Sequence, residues 1–180
     1  TLSVKVDHSE KSRWYTGSGI YRHVWMQVTN PIHVKMWGTY ITTPRVSAES
    51  AIVSCVTTVA NTSALTGEIE IMQRIVDAQG NLLKINGKQY AARTEVVMPE
   101  NGTKDIAQSF TLSNPQLWNL EKTYLYRLEK ILKQKGKVID RYTTRFGVRT
   151  IGFDKDKGFF LNGKNIKMKG ACLHQDAGCL

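Results

Sequence analysis

The sequence predicts an all-β protein built around an immunoglobulin-like β-sandwich, on three observations. Apolar residues recur at every second position along most of the chain, and no 3.6-residue apolar stripe competes with that period. Clusters of Asn, Asp, Gly and Pro cut the alternating runs into pieces of strand length. Between Gly38 and Arg149 these pieces number roughly seven in about 110 residues, the strand number and size of such a sandwich.

Each element has its own warrant. Residues 1–35 hold about two strands around the link Tyr15-Thr16-Gly17-Ser18-Gly19; in the second, Ile20, Val24, Met26 and Val28 alternate with Tyr21, His23, Gln27 and Thr29. Two strands alone are not stable, so this part reads as the end of a preceding β domain. Ala51, Val53, Cys55 and Val59 share one face of the next clear strand, and Cys55 reads as a buried free thiol. Ile69, Ile71 and Ile75 alternate with Glu68, Glu70 and Arg74; Tyr90, Ala92, Val96 and Met98 alternate with Arg93 and Glu95. Ile106, Phe110 and Leu112 alternate with Ser109 and Thr111, and Leu125 to Leu132 and Val138 to Phe146 complete the set. Their Val, Ile, Thr and Tyr suit a pleated, half-buried surface.

Turns fall at Asn61-Thr62-Ser63, Asp77 to Asn81, Asn86-Gly87, Pro99 to Gly102, Asn114-Pro115 and Lys135-Gly136-Lys137. The antibody Cys–Trp–Cys spacing is absent, which predicts a fibronectin-like or enzyme-accessory sandwich; Tyr124 or Tyr126 is placed for a tyrosine corner. Phe159-Phe160-Leu161, Asn162-Gly163 and Ile166 to Lys169 then read as a hairpin, since Asn-Gly between apolar runs suits a two-residue turn.

Composition narrows the function classes. A hydrophobic content of 41% in 180 residues is enough for a real core. No run of about 20 apolar residues offers a transmembrane helix, and no signal peptide is visible. The chain opens on Thr1 already in strand-like alternation, which reads as a cut inside a longer protein and leaves its compartment unreadable. The net charge is +10, but Lys130, Lys133, Lys135, Lys137, Arg141, Arg145 and Arg149 alternate with apolar residues, as solvated strand faces do. Neither a nucleic-acid nor a membrane partner is expected. Three cysteines are too few for a disulfide scaffold.

Three clusters carry candidate chemistry. In the tail from Gly170 to Leu180, an extended chain points Cys172 and His174 the same way, with Asp176 following. A zinc site of Cys172, His174, Asp176 and Cys179 would draw four ligands from eight residues in a non-standard spacing, so no metal site and no cofactor are predicted. In Arg13 to His23, aromatic side chains beside a glycine turn suit either a sugar face or the cap of an apolar edge. Trp118, after Asn114-Pro115, reads as a core or domain-junction anchor. No nucleophile motif, phosphate loop, CxxC pair or obvious carboxylate pair is present.

Four stretches together carry a resemblance. They are Arg13-Trp14-Tyr15-Thr16-Gly17-Ser18-Gly19-Ile20-Tyr21-Arg22, then Asn114-Pro115-Gln116-Leu117-Trp118 followed by Tyr124-Leu125-Tyr126, then Arg145-Phe146-Gly147-Val148-Arg149-Thr150-Ile151, and last Gly158 to Lys164 continuing through Lys169-Gly170-Ala171-Cys172-Leu173-His174-Gln175-Asp176. In order and spacing the chain resembles glycoside hydrolase family 2, the β-galactosidase and β-glucuronidase family, and most closely its bacterial β-galactosidase-like members.

The resemblance implies the end of a jelly-roll sugar-binding-type domain over 1–35, the immunoglobulin-like sandwich over 36–149, and the hairpin and first strand of a (β/α)8 barrel over 150–180. It implies a retaining hydrolase of terminal β-linked sugars with two catalytic Glu residues about 5 Å apart, deep in that barrel. A barrel takes about 250 residues, so both catalytic Glu fall beyond this chain. No catalytic role passes to Glu49, Glu68, Glu70, Glu95, Glu100, Glu121 or Glu129.

The run Gly170 to His174 resembles the first barrel strand, whose end belongs to the site face. His174 and Asp176 are thereby implied as substrate contacts in the parent enzyme. His23 stands where some members carry an acidic residue of the sugar pocket. The expected partner is a carbohydrate, and apolar surface left uncovered would favour a homo-oligomer. A self-standing carbohydrate-binding or adhesion sandwich is the competing reading.

Overall fold

The computed structural model describes residues 3–7, 9, 23–85, 88–89 and 91–172. Seven strands build a sandwich: β1 (Ile32–Val46), β2 (Ser50–Asn61), β3 (Gly67–Val76), β6 (Ala91–Met98), β7 (Gly102–Ser113), β8 (Tyr126–Gln134) and β9 (Lys137–Phe146). One sheet runs β1-β2-β7 and the other β6-β3-β8-β9, with every pairing antiparallel. β6 joins β3 in the second sheet rather than staying with β2 and β7, which separates this sandwich from the four-plus-three antibody constant type. Two small sheets lie outside it: β4 (Lys84–Ile85) with β5 (Lys88–Gln89), and a three-stranded sheet of β10 (Ile151–Asp154), β11 (Gly158–Leu161) and β12 (Lys164–Asn165).

The strands form where alternation and turn chemistry agree. Lys135 and Gly136, with φ of 49° and 77°, make the left-handed pair that reverses β8 into β9. Tyr126 opens β8, and its hydroxyl accepts the Gln116 amide at 2.9 Å, a bond of the tyrosine-corner type. Alternation alone is not sufficient, however. Residues 23–30 form no strand; Trp25, Met26 and Val28 are exposed, and Ile20 to Arg22 lie outside the described residues. A strand needs free backbone groups on a neighbour, and among the described residues none pairs with this segment.

The interior has three levels. One apolar cluster contains Val53, Cys55, Ile75, Phe110, Tyr126, Leu128 and Phe146. The other contains Ile32, Val59, Ile69, Ile71, Met98, Ile106 and Leu132. Between them in sequence phase come Thr57 on β2, Gln73 on β3 and Lys130 on β8, all buried. Gln73 Oε1 accepts the Thr57 hydroxyl at 3.2 Å and the Cys55 thiol at 3.5 Å. Lys130 Nζ donates to Thr144 Oγ1 at 2.8 Å and to the Leu128 carbonyl at 3.5 Å, and lies 5.2 Å from the Tyr142 ring centre.

Lys130 corrects the expectation of a solvated strand residue. It is 1% exposed, because it is in phase with Leu128 and Leu132 on the inward face of β8. No carboxylate neutralises it among the described residues. Burial pulls its amine down from 10.5 to about 8, with a smaller opposing pull from Cys55.

Between about pH 8 and 10.5 the unfolded chain binds more protons at this lysine than the folded one, so its effect is a stability that rises with pH, by about 3 kcal/mol in all. Cys55 and Tyr126, both raised by burial, oppose the rise above their ordinary 9.0 and 10.0. Comparison with Lys130→Met isolates the lysine. The variant should be more stable than the native chain by about 2 kcal/mol at pH 7, and the gap should close towards pH 10.5. Urea denaturation across this range checks it, and a gap independent of pH would contradict the assignment.

Candidate functional site at the sandwich-to-hairpin junction

The segment following β7 returns across the end of the sandwich before β8 begins. Asn114 takes a left-handed φ of 46°, and Pro115 after it is buried. Leu117 then forms a parallel bridge with Val148, and the Trp118 amide donates to the Val148 carbonyl at 2.9 Å. Gly147 makes this approach feasible, since a Cβ there would lie 2.7 Å from Trp118 Cβ and 2.9 Å from its Cγ. The Arg149 guanidinium lies 5.1 Å from the indole ring centre, within cation–π range. Thr43 of β1 donates its hydroxyl to the Arg149 carbonyl at 2.6 Å.

The hairpin is fastened to this group by its own turn. Asn162 and Gly163, with φ of 50° and 75°, join β11 to β12 as Asn-Gly in a two-residue turn predicts. Asn162 does more than turn the chain. Its amide donates to the Thr150 carbonyl at 3.0 Å, its Oδ1 accepts the Thr150 amide at 2.9 Å, and its Nδ2 donates to the Trp118 carbonyl at 2.9 Å. Three segments far apart in sequence therefore meet, and one side chain satisfies backbone groups on two of them. Beyond the turn the hairpin presents Phe153, 77% exposed and 5.3 Å from the Phe159 ring.

His174 and Asp176 are the residues predicted to touch substrate. His174, Asp176 and Cys179 lie outside the described residues, as do Trp14 to Arg22. Cys172 is an exposed free thiol. His23 is exposed, with its ring edge-on to Trp25 at 5.8 Å. Among the described residues no three His, Cys, Asp or Glu side chains converge as metal ligands.

Glu70 of β3 and Glu95 of β6 are register partners. Glu95 is exposed, and Glu70 Oε1 is 3.7 Å from Lys133 Nζ. Nothing apolar encloses either as a glycosidase general acid requires, so the pair belongs to the outer sheet surface. Elsewhere Glu49 and Asp77 are held below the usual carboxylate range, Glu49 by the Ser47 hydroxyl and Asp77 by Asn81. These are turn-stabilising contacts.

Sequence reasoning identified Trp118 as an anchor but gave no partner role to Gly147, Arg149 or Asn162. Asn162 reads as a turn former, and its bond to a carbonyl 44 residues away leaves no periodic trace.

The junction should fail locally when its bonds are removed. Asn162→Ala should cost about 2 kcal/mol, and Gly147→Ala about 1–3 kcal/mol through overpacking on Trp118. Hydrogen exchange of the Thr150 amide should accelerate in Asn162→Ala while amides of β3 and β8 keep their protection. Uniform acceleration across the sandwich would count against a local role.

Comparison with known proteins agrees with the topology. Residues 32–149 match the model of Glycosyl hydrolases family 2. Over 99% of its length the chain is 40% identical to Beta-galactosidase BoGH2A of Bacteroides ovatus, of which it covers 21%. Over 87% it is 31% identical to a Beta-glucuronidase of Formosa agariphila, of which it covers 16%. Among solved structures, a glycosyl hydrolase family 2 member from Bacteroides cellulosilyticus superposes with a TM-score of 0.73 at 39% identity, over 89% of this chain and 20% of that one. The chain thus spans 16% to 21% of the length of these relatives. With the family model covering the whole sandwich and the junction residues Trp118, Gly147 and Arg149, the chain belongs to glycosyl hydrolase family 2.

Proposed function

We propose that the chain is the non-catalytic, sandwich-centred segment of a retaining glycoside hydrolase acting on terminal β-linked sugars, of β-galactosidase or β-glucuronidase type. The sandwich sets the position of a following (β/α)8 barrel. In this reading residues 1–35 close a jelly-roll domain, 36–149 are the sandwich, and 150–180 lead into the barrel. His174 and Asp176 contact the sugar from the end of the first barrel strand. The partner is a carbohydrate substrate, with no nucleic acid, membrane or cofactor.

The observation that carries this reading is the fastening of the hairpin by Asn162 to both Thr150 and the Trp118 carbonyl. A passive linker would need no such bonds, because domains joined by flexible segments move by default. A segment that sets the placement of a barrel does need them, since a misplacement of about 1 Å far from the chemistry can cost about a hundredfold in rate. The names of the family relatives support the substrate class.

The test has two parts. The 180-residue chain should show no turnover of nitrophenyl β-galactoside or β-glucuronide, whereas the full-length protein turns over one of them. In the full-length protein Asn162→Ala should lower kcat/KM by about tenfold or more without touching the reacting groups, and Lys137→Gln should not. Turnover by the isolated chain, or an unchanged kcat/KM in Asn162→Ala, would overturn the proposal.

A further inference from the structure

One cluster of charges belongs neither to the core nor to the junction. Arg127 of β8 and Arg145 of β9 are register partners, so their side chains leave the same face of the four-stranded sheet, with Cβ atoms about 5 Å apart. Like charges placed this way repel. Among the described residues neither arginine has an ion-pair partner. The acidic side chains beside them in the fold are already engaged. Glu129 takes Arg74 Nε at 2.8 Å, and Asp77 accepts the Asn81 backbone and side-chain amides at 2.7 and 3.0 Å. Arg127 reaches only the Asp77 carbonyl, through Nη2 at 3.5 Å, and its Nε is buried with no acceptor.

Both arginines line a cleft of about 800 Å3 beside the segment that precedes β8. Lys122 adds a third positive charge, and Gln116, Asn119 and Tyr124 complete the wall. A buried donor without an acceptor is costly, and two facing cations add to that cost. A planar guanidinium fork fits a carboxylate or sulfate group, which would offset the repulsion of the two facing cations. The amide and phenol groups around it are those that sugar hydroxyls and ring faces take.

We propose that this cleft is an oxyanion-binding site for the carboxylate or sulfate group of an acidic saccharide, held by Arg127 and Arg145 with Lys122 at its edge. It lies on the sandwich and stands whether or not the whole protein hydrolyses a glycoside.

Isothermal titration of the 180-residue chain at constant ionic strength tests it, with glucuronate, galactose 6-sulfate, neutral galactose and inorganic sulfate as probes. The expected result is one-site binding of the two acidic sugars, weaker binding of inorganic sulfate and none of galactose. Arg145→Gln, an exposed position that leaves the fold intact, should weaken the acidic sugars about tenfold, while Lys135→Gln in the distant turn should not. No binding of either acidic sugar, equal binding of galactose, or unchanged affinity in Arg145→Gln overturns the site. Inorganic sulfate binding as tightly as the sugars overturns its assignment to a saccharide.

Discussion

The structure depends on one constraint: every second side chain of seven strands must fit between two sheets about 10 Å apart. Most inward positions meet it with Val, Ile, Leu or Phe. At the middle level, Thr57, Gln73 and Lys130 meet it with polar groups that find partners inside the protein, Thr57 on Gln73 and Lys130 on Thr144 of β9 and on its own strand. This level makes register costly to change. A one-residue slip of β8 would turn Arg127, Glu129 and Lys133 into the core and expose Leu128 and Leu132. Lys130 tolerates burial because its neutral form is within reach near neutral pH and Thr144 Oγ1 accepts a hydrogen bond from its amine.

A rigid sandwich is also what gives the junction its meaning. Trp118 and Val148 hold each other through backbone bonds at the edge of one apolar cluster, which contains Val148 and packs against Leu117. Asn162 then extends that rigidity across the 150–162 segment with bonds at both ends of its reach. The hairpin therefore inherits its orientation from the core rather than from a flexible link. The Gly147 position shows how tight the fit is, since no side chain can be added there without displacing the indole.

Much of this was legible in the sequence, and the reason is periodicity. Ile69, Ile71 and Ile75 declare an inward face, and Cys55 is buried as its phase with Val53 requires. Tyr126 rather than Tyr124 makes the corner because it begins the strand and its hydroxyl meets the Gln116 amide. Lys130 looks solvated by residue type and buried by phase, and phase decides, since its two neighbours in phase are leucines. The segment 23–30 shows the opposite failure, a phase without a partner. The junction was illegible in its contacts, because the bond from Asn162 to Trp118 obeys no period. Candidate substrate contacts such as His174 and Asp176 come only from resemblance, because a sugar pocket at a barrel mouth is assembled from several strand ends and one strand carries no geometry of its own.

The junction and the basic cleft share one piece of chain. Gln116 has its amide fixed by Tyr126 and also lines the cleft, while Trp118, two residues on, carries the carbonyl that receives Asn162. On the facing strand Arg145 lines the same cleft, and Gly147, two residues on, receives the indole. Any group that drew Arg127 and Arg145 together would pull on the same two segments that hold the hairpin. Arg145 sits in β9, and the 116–118 segment is tied by its amides to the Tyr126 hydroxyl of β8 and to the Val148 carbonyl, so such a pull cannot be absorbed by slack. It must either tighten the contact between Trp118 and Gly147 or leave it unchanged. The close approach at Gly147 leaves no room for tightening, so the physics favours a cleft that can fill without moving the hairpin.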